Sequence, residues 1–199
     1  MKAFNPTLTA TLLAVVLVSL GARWKHDARM ERMPDQWEQG GWFSVDADGL
    51  YHARRVQRNF TDGELASFDP KMNSPHGAEI PWPPFYDWFL TFLAKLGGVD
   101  VASTPSLEHF VAMVPFFFGI LTSTLVALLA FALSRRWEAG GIAGIMHALA
   151  YGSVHTSAPG IGDHHAFVAF LSMGLWGWVH VRLWRRPADP WRSDCKDAR

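Results

Sequence analysis

Formal charge is missing from four stretches of this chain, and nothing else limits its fold so strongly. Residues 3–22 (20 residues), 110–134 (25), 139–162 (24) and 166–181 (16) contain no Asp, Glu, Lys or Arg. A helix needs about 20 apolar residues to cross the hydrocarbon core of a bilayer. The second stretch, FVAMVPFFFGILTSTLVALLAFALS, meets that need outright. The fourth reaches spanning length if Arg182 snorkels to the head groups and Leu183 and Trp184 complete the helix. The third is rich in Gly and carries His147 and His155. A mean hydropathy of +0.05, ordinary for a soluble protein, averages over this segregation.

The expected fold class is therefore an all-α membrane protein with four transmembrane helices. They fall at about 1–22, 110–134, 138–156 and 166–184, with a tail at 185–199. In the third, Gly140, Gly144, Ala148 and Gly152 recur every four residues, a thin face that lets another helix approach closely. Lys2, Arg135, Arg136, Arg182, Arg185 and Arg186 all fall on one side if the spans alternate, and the positive-inside rule makes that side cytoplasmic. Both termini are then inside a cell membrane, and two segments face out: a long first loop, 23–109, and a short one, 157–165. Reading residues 1–21 as a cleaved signal peptide keeps the long loop outside as well.

Composition excludes some classes. Eighteen Lys+Arg against 18 Asp+Glu leave no excess of cation to track a phosphate backbone, so no nucleic-acid partner is expected. Cys195 is the only cysteine, which permits neither an internal disulfide nor a Cys-rich zinc module.

The long loop holds 9 basic and 13 acidic residues and is too long to be a mere connection. Pro81-Trp82-Pro83-Pro84 introduces a predicted helix at 85–96, closed by Gly97-Gly98. Asp87, Thr91 and Lys95 are four apart on it. The expectation is an interfacial helix with that polar stripe toward water; a buried helix of a small outer domain is the alternative. Upstream, Asp46 and Asp48 precede Gly49 and a predicted helix at 50–60. Asp48 reads either as a helix N-cap or as a metal-binding or catalytic carboxylate. The short loop offers Gly162-Asp163-His164-His165. In extended backbone Asp163 and His165 point the same way and converge on one ion; the alternative is an N-cap with two interfacial histidines. The assigned topology puts Asp48, Asp163 and His165 on one side of the membrane. Two carboxylates and an imidazole favour Mn²⁺ or Mg²⁺, with zinc left open by His155, His164 and His165.

The order of these motifs resembles the single-subunit oligosaccharyltransferases, membrane glycosyltransferases of the GT-C type. The likeness rests on D-G-x-Y-x-A-R opening the outer loop, P-P-F-Y-x-W before the short helix and G-x-x-D-x-H after the third span, and covers about residues 1–185. It implies transfer of a glycan from a polyprenyl-phosphate or pyrophosphate donor, a lipid-linked oligosaccharide, to Asn of Asn-x-Ser/Thr in an acceptor polypeptide. It also implies a divalent metal on Asp48, Asp163 and His165, the D-x-H form being most like the archaeal members, with Asp48 touching both metal and acceptor. Asp46 is a candidate assistant. His76, His164, Arg54 and Arg55 are weaker candidates for the carrier phosphates, each equally readable as an ordinary surface side chain. The family's later spans and its Trp-Trp-Asp domain have no counterpart here, so the chain reads as an N-terminal portion, incomplete alone and implying a C-terminal half or companion subunit. The competing readings are a GT-C enzyme with a different acceptor, a four-helix ion-binding or transport protein using His147 and His155, and a structural subunit packing through its small-residue face. Asn59-Phe60-Thr61 is itself an acceptor triplet.

Overall fold

The computed structural model describes residues 6–26, 46–63 and 67–184. Lys2, the tail 185–199 with Cys195, and residues 27–45 of the first loop lie outside the described residues. The described chain is mostly helical: α1 (Pro6–His26), α2 (Ala47–Asp62), a two-stranded antiparallel ladder of β1 (Phe68–Asp69) and β2 (Ala78–Glu79), then α3 (Phe85–Gly97), α4 (Thr104–Ser134), α5 (Trp137–Leu149), α6 (Tyr151–His155) and α7 (His165–Trp184). Two of these, α1 and α4, are long and apolar enough to cross a bilayer.

Helix α4 is the spine. Ser103 caps it by accepting the Ser106 N–H, and Pro105 sits in its first turn. At about 1.5 Å per residue, its 31 residues exceed the hydrocarbon thickness. It starts before residue 110, and the extra turn and a half reaches the layer formed by α2 and α3. There Leu107, Val111, Val114 and Phe118 pack with Ala53 and Val56 of α2, Tyr86 and Leu90 of α3, and Ala166 and Phe167 of α7. This apolar core ties α2 and α3 to the long helices.

The small-residue face is used inside the chain. A Cβ at Gly140 would meet the Ala127 carbonyl at 2.9 Å, and one at Gly144 would meet Ala127 Cβ at 2.8 Å and Val15 at 2.9 Å. Ala148 is buried beside them, whereas Gly152 faces open space. The face therefore seats α5 against α4 and α1 and ends where the helix does. Ala150 is extended, with ψ near 126°, so the segment 138–156 is broken into α5 and α6 rather than continuous. His147 and His155 thus stand on different helices. His147 Nδ1 lies 3.0 Å from Ser123 Oγ, and the His155 ring stacks on Tyr151. The single polar face that an ion path along this span requires is absent.

Arg23 also departs from expectation. Instead of opening the outer loop, it lies inside α1, fully buried. Its Nε donates to Ser157 Oγ at 2.7 Å, one terminal nitrogen to Ser19 Oγ at 2.5 Å and to the Ala148 carbonyl at 3.5 Å, and the other to Ser153 Oγ at 2.8 Å. Hydroxyl and carbonyl dipoles solvate the charge, so the helix can run past it.

Candidate metal centre

Asp46 occupies the N-cap position of α2, but its side chain makes no capping hydrogen bond. Asp48 lies in the first helical turn rather than at the cap. Two carboxylates at a helix N-terminus are favoured by the macrodipole. The same site forces α2 and the short loop together. A Cβ at Gly162 would sit 2.6 Å from the Gly49 Cα and 3.1 Å from Val111, so the two backbones touch because residue 162 is glycine. Their neighbours are Asp48 and Asp163, and this approach brings Asp46, Asp48 and Asp163 to within 4.8 Å of one another, ligand atom to ligand atom. Three carboxylates so close repel unless a cation lies among them, and an all-oxygen set fits a hard divalent ion.

Helix α3 clamps the loop from the side. The Tyr86 hydroxyl donates to the carbonyls of Gly162 (3.5 Å) and Asp163 (3.3 Å). Burial, helped by the charges of Asp163 and Asp87, pushes the Tyr86 phenol well above its usual range, so it stays a donor. Burial alone would also raise the Asp163 carboxyl. His52, the His164 N–H and the rings of His164 and His165 outweigh that and bring it down to about 2. His165 Nε2 stands 3.0 Å from Asp163 Oδ2 but belongs to neither of two ion-sized groups among the described residues, the acidic one above and a second of His52, Asp163 and His164.

Two of the three residues of the polar stripe on α3, Asp87 and Thr91, point inward, a correction of the stripe-to-water expectation, while Lys95 stays exposed. Asp87 and Thr91 are buried, while Phe85, Trp88, Phe92 and Leu96 are exposed. Asp87 holds His52 Nδ1 at 2.6 Å through Oδ1 and Arg55 at 2.7 Å through Oδ2, and Thr91 accepts from Asn59 at 2.8 Å. His52, Arg55 and Asn59 recur on one face of α2, and this periodicity is the signal that could have revealed the partner stripe. Asn59 is thereby buried, which removes it as a glycan acceptor in the folded chain. Burial would lower the basicity of His52, but Asp163 and Asp87 outweigh it and raise it to about 9. Asp87→Ala should cost about 3–5 kcal/mol, since it strands both a buried histidine and a buried guanidinium. Thermal melting of the purified variant checks this; a midpoint unchanged from the parent would refute it.

The weaker candidates separate. Arg55 is 5% exposed and engaged with Asp87, which corrects its reading as a phosphate ligand: burial closes it to a lipid head group. Arg54 is ion-paired with the buried Asp69, which also accepts the Lys71 N–H and lies 4.0 Å from Arg58. Burial would raise the Asp69 carboxyl, yet the Lys71 N–H and these arginines hold it below its usual 3.8. A depressed folded value means the pair stabilises fully above the unfolded pKa and is lost as pH falls through the folded one. Asp69→Asn at neutral pH should therefore mimic acid, speeding proteolysis within 67–80 while leaving divalent-metal affinity at the Asp48 cluster unchanged. Equal cleavage of parent and variant would refute it. His76 lies exposed on the turn between the strands and joins neither ion-sized group, whereas His164 lies beside Asp163.

Comparison with known proteins places this geometry. No family model matches the chain. Dolichyl-phosphooligosaccharide-protein glycotransferase 1 of Archaeoglobus fulgidus is 29% identical over 160 residues, 80% of this chain and 25% of that protein. Glycotransferase 2 of the same organism is 30% identical over 130 residues, 65% of this chain and 21% of that protein. Crystal structures of an A. fulgidus oligosaccharyltransferase superpose on 85% of this chain and 19% of theirs at 22% identity. The form tethered to an acceptor peptide containing the NVT sequon gives a TM-score of 0.72. Its relatives are archaeal oligosaccharyltransferases. The chain spans about a quarter or less of the length of these oligosaccharyltransferases. One of the superposable oligosaccharyltransferase structures is a complex with an inhibitory peptide and a dolichol-phosphate, and another, covering 84% of this chain, is a complex with Zn and sulfate.

Proposed function

We propose that this chain is the metal-binding N-terminal part of an oligosaccharyltransferase-like membrane glycosyltransferase, which moves a glycan from a polyprenyl-(pyro)phosphate carrier to Asn of Asn-x-Ser/Thr. The observation that carries it is the Gly49–Gly162 contact, which joins Asp48 and Asp163 across more than 100 residues of sequence. Asp48 and Asp163 would hold the divalent ion, Mn²⁺ or Mg²⁺ by oxygen preference, with Asp46 beside them and His165, 3.0 Å from Asp163 Oδ2, as the ligand that must swing in from outside the ion-sized group. When bound, the ion supplies positive charge to offset what builds on the carrier phosphate as the sugar leaves. Asp48, the most exposed of the three acids, accepts a hydrogen bond from the acceptor amide and orients its nitrogen. Asp163, held by Tyr86 and its histidines, keeps the site shaped before substrate arrives. His164 and His76 are the chain's candidates for the carrier phosphate.

The same reading sets the membrane arrangement. Helices α1, α4, the broken α5–α6 pair and α7 make four crossings, with both termini cytoplasmic and the acids at the outer face. The exposed Phe85, Trp88, Phe92 and Leu96 of α3 then lie in the head-group layer, apolar side to lipid. The partners on this reading are membrane lipids, the lipid-linked donor, the acceptor polypeptide and the remainder of the enzyme.

The experiment is a chimera in which this chain replaces the corresponding N-terminal segment of the A. fulgidus enzyme, assayed for glycan transfer to a fluorescent sequon peptide. Transfer that Asp163→Asn lowers by about 100-fold or more supports the reading, the scale of losing charge stabilisation at a reacting centre. A chimera that binds Mn²⁺ yet transfers nothing, or that ignores Asp163→Asn, overturns it.

A further inference from the structure

A fully buried arginine inside a helix long and apolar enough to cross a bilayer is costly, and such a residue marks a function by default. Three of the acceptors around Arg23 lie on one short segment of the chain. They are the Ala148 carbonyl at the end of α5, Ser153 Oγ in α6 and Ser157 Oγ just beyond it. Ala150 is extended between the two helices, so no continuous helical ladder fixes the direction of this segment. The guanidinium supplies that constraint instead, because its rigid planar fork holds several acceptors in one fixed geometry.

The sequence makes room for the pairing. A Cβ at Gly119 of α4 would overlap both Arg23 Nε and Ser157 Oγ. The Ser157 hydroxyl accepts from Arg23 and donates to the Ser153 carbonyl, which locks the end of α6 to the arginine.

From Ser157 the chain reaches Asp163 in six residues, and it is held along the way. Ser157, Ala158, Pro159 and Gly160 are all buried. The Gly160 N–H donates to the Ala112 carbonyl of α4 at 3.1 Å, and the Ile161 N–H closes a turn on the Ala158 carbonyl. Gly162 then rests on Gly49, and Asp163 follows. A close-packed stretch of this kind transmits a displacement rather than taking it up.

We propose that Arg23 is a positioning residue for the acidic cluster. Through Ser157 it sets where the short loop leaves α6, and thereby how closely Asp163 stands to Asp46 and Asp48. The inference rests on that cluster holding an ion, as proposed above, but not on glycan transfer.

Two serines separate positioning from packing. Ser157→Ala leaves Arg23 its bonds to Ser19, Ser153 and Ala148 and cuts its tie to the loop. Ser19→Ala cuts a bond on α1 instead. The full chain in detergent is titrated with Mn²⁺, and amide hydrogen exchange is read at Gly160. Ser157→Ala should weaken Mn²⁺ by about 10-fold, as removing a support behind a metal ligand does, and should speed exchange at Gly160 by a similar factor. Ser19→Ala should leave both within twofold. Arg23→Met should repeat the Ser157→Ala result; if it does not fold, Ser157→Ala decides. Parental Mn²⁺ affinity in Ser157→Ala overturns the proposal. So does an equal loss in both serine variants, the result expected if Arg23 only packs helices together. A parent that binds no Mn²⁺ sinks the metal reading by itself. Exchange at Gly160 then decides alone whether Arg23 places the loop, faster exchange in Ser157→Ala upholding it and parental exchange overturning it.

Discussion

Gly162→Ala should weaken divalent-ion binding at the Asp48 cluster by about 10- to 100-fold while leaving the helical bundle assembled. The added methyl would start 2.6 Å from the Gly49 Cα, against an ordinary contact of 3.4 Å or more, and Val111 closes the other side. Neither neighbour is the tip of a flexible side chain, so the α2 start and the short loop must part by roughly 1 Å, at a cost of about 1–3 kcal/mol for overpacking. Ion binding suffers more than stability. Three carboxylates placed for one ion are useless if one edge moves away, and a loss of about 10- to 100-fold in affinity is expected, as when the supports of metal ligands are removed. Gly152→Ala is the control, since its Cβ meets nothing within 4 Å. Calorimetric titration with Mn²⁺ reads the result; parental affinity in Gly162→Ala would mean the glycine contact does not position the acids.

The second large effect is expected far from the acids. Arg23→Ala removes the group to which Ser19, Ser153 and Ser157 all turn, and leaves a void where α1, α4 and the α5–α6 junction meet. Truncating a large buried side chain costs about 2–5 kcal/mol, the upper end applying where neighbours cannot collapse inward. Collapse is hindered here because the void is lined by hydroxyls and by the Ala148 carbonyl. Arg23→Met should be milder, since it fills most of the space and the serines can bond back to their own helices, as Ser123 and Ser157 already do. Thermal unfolding in detergent should rank parent, Met, then Ala. An Ala variant as stable as the Met variant would show that polarity, not shape, is what Arg23 supplies. Gly119 belongs to the same junction, as a Cβ there would overlap both Arg23 and Ser157.

Much of this architecture is legible in the order of the amino acids. Charge-free runs announce long apolar helices because hydrocarbon tolerates nothing else, and α1 and α4 sit where the runs do. Asp163 stands out because an acid beside glycine at the end of an apolar segment is costly to keep, and Asp48 through the D-G-x-Y-x-A-R motif it opens. What the order does not disclose is decided by partners distant along the chain. Asp87 and Thr91 have the same spacing whether they face water or protein; only the matching stripe of His52, Arg55 and Asn59 on α2 turns them inward. The break at Ala150 carries no Pro or Gly at its own position, and Arg23 reads as the end of a span until three serines from other turns are brought around it. Beyond that stripe His52 gives no signal of its own; its meaning comes from Asp87 on one side and Asp163 on the other.

Helix α3 carries two duties on thirteen residues. Four large apolar side chains cover its outer surface, and on its inner surface Tyr86 grips the backbone that presents Asp163. Were that outer surface in the head groups, as proposed above, bilayer thickness and lateral pressure would become inputs to the site. A tilt of this one plank reaches the carboxylate through a single phenol, with no slack linker to absorb it. The lipid would then act as more than solvent: its composition would set how firmly the acids are held.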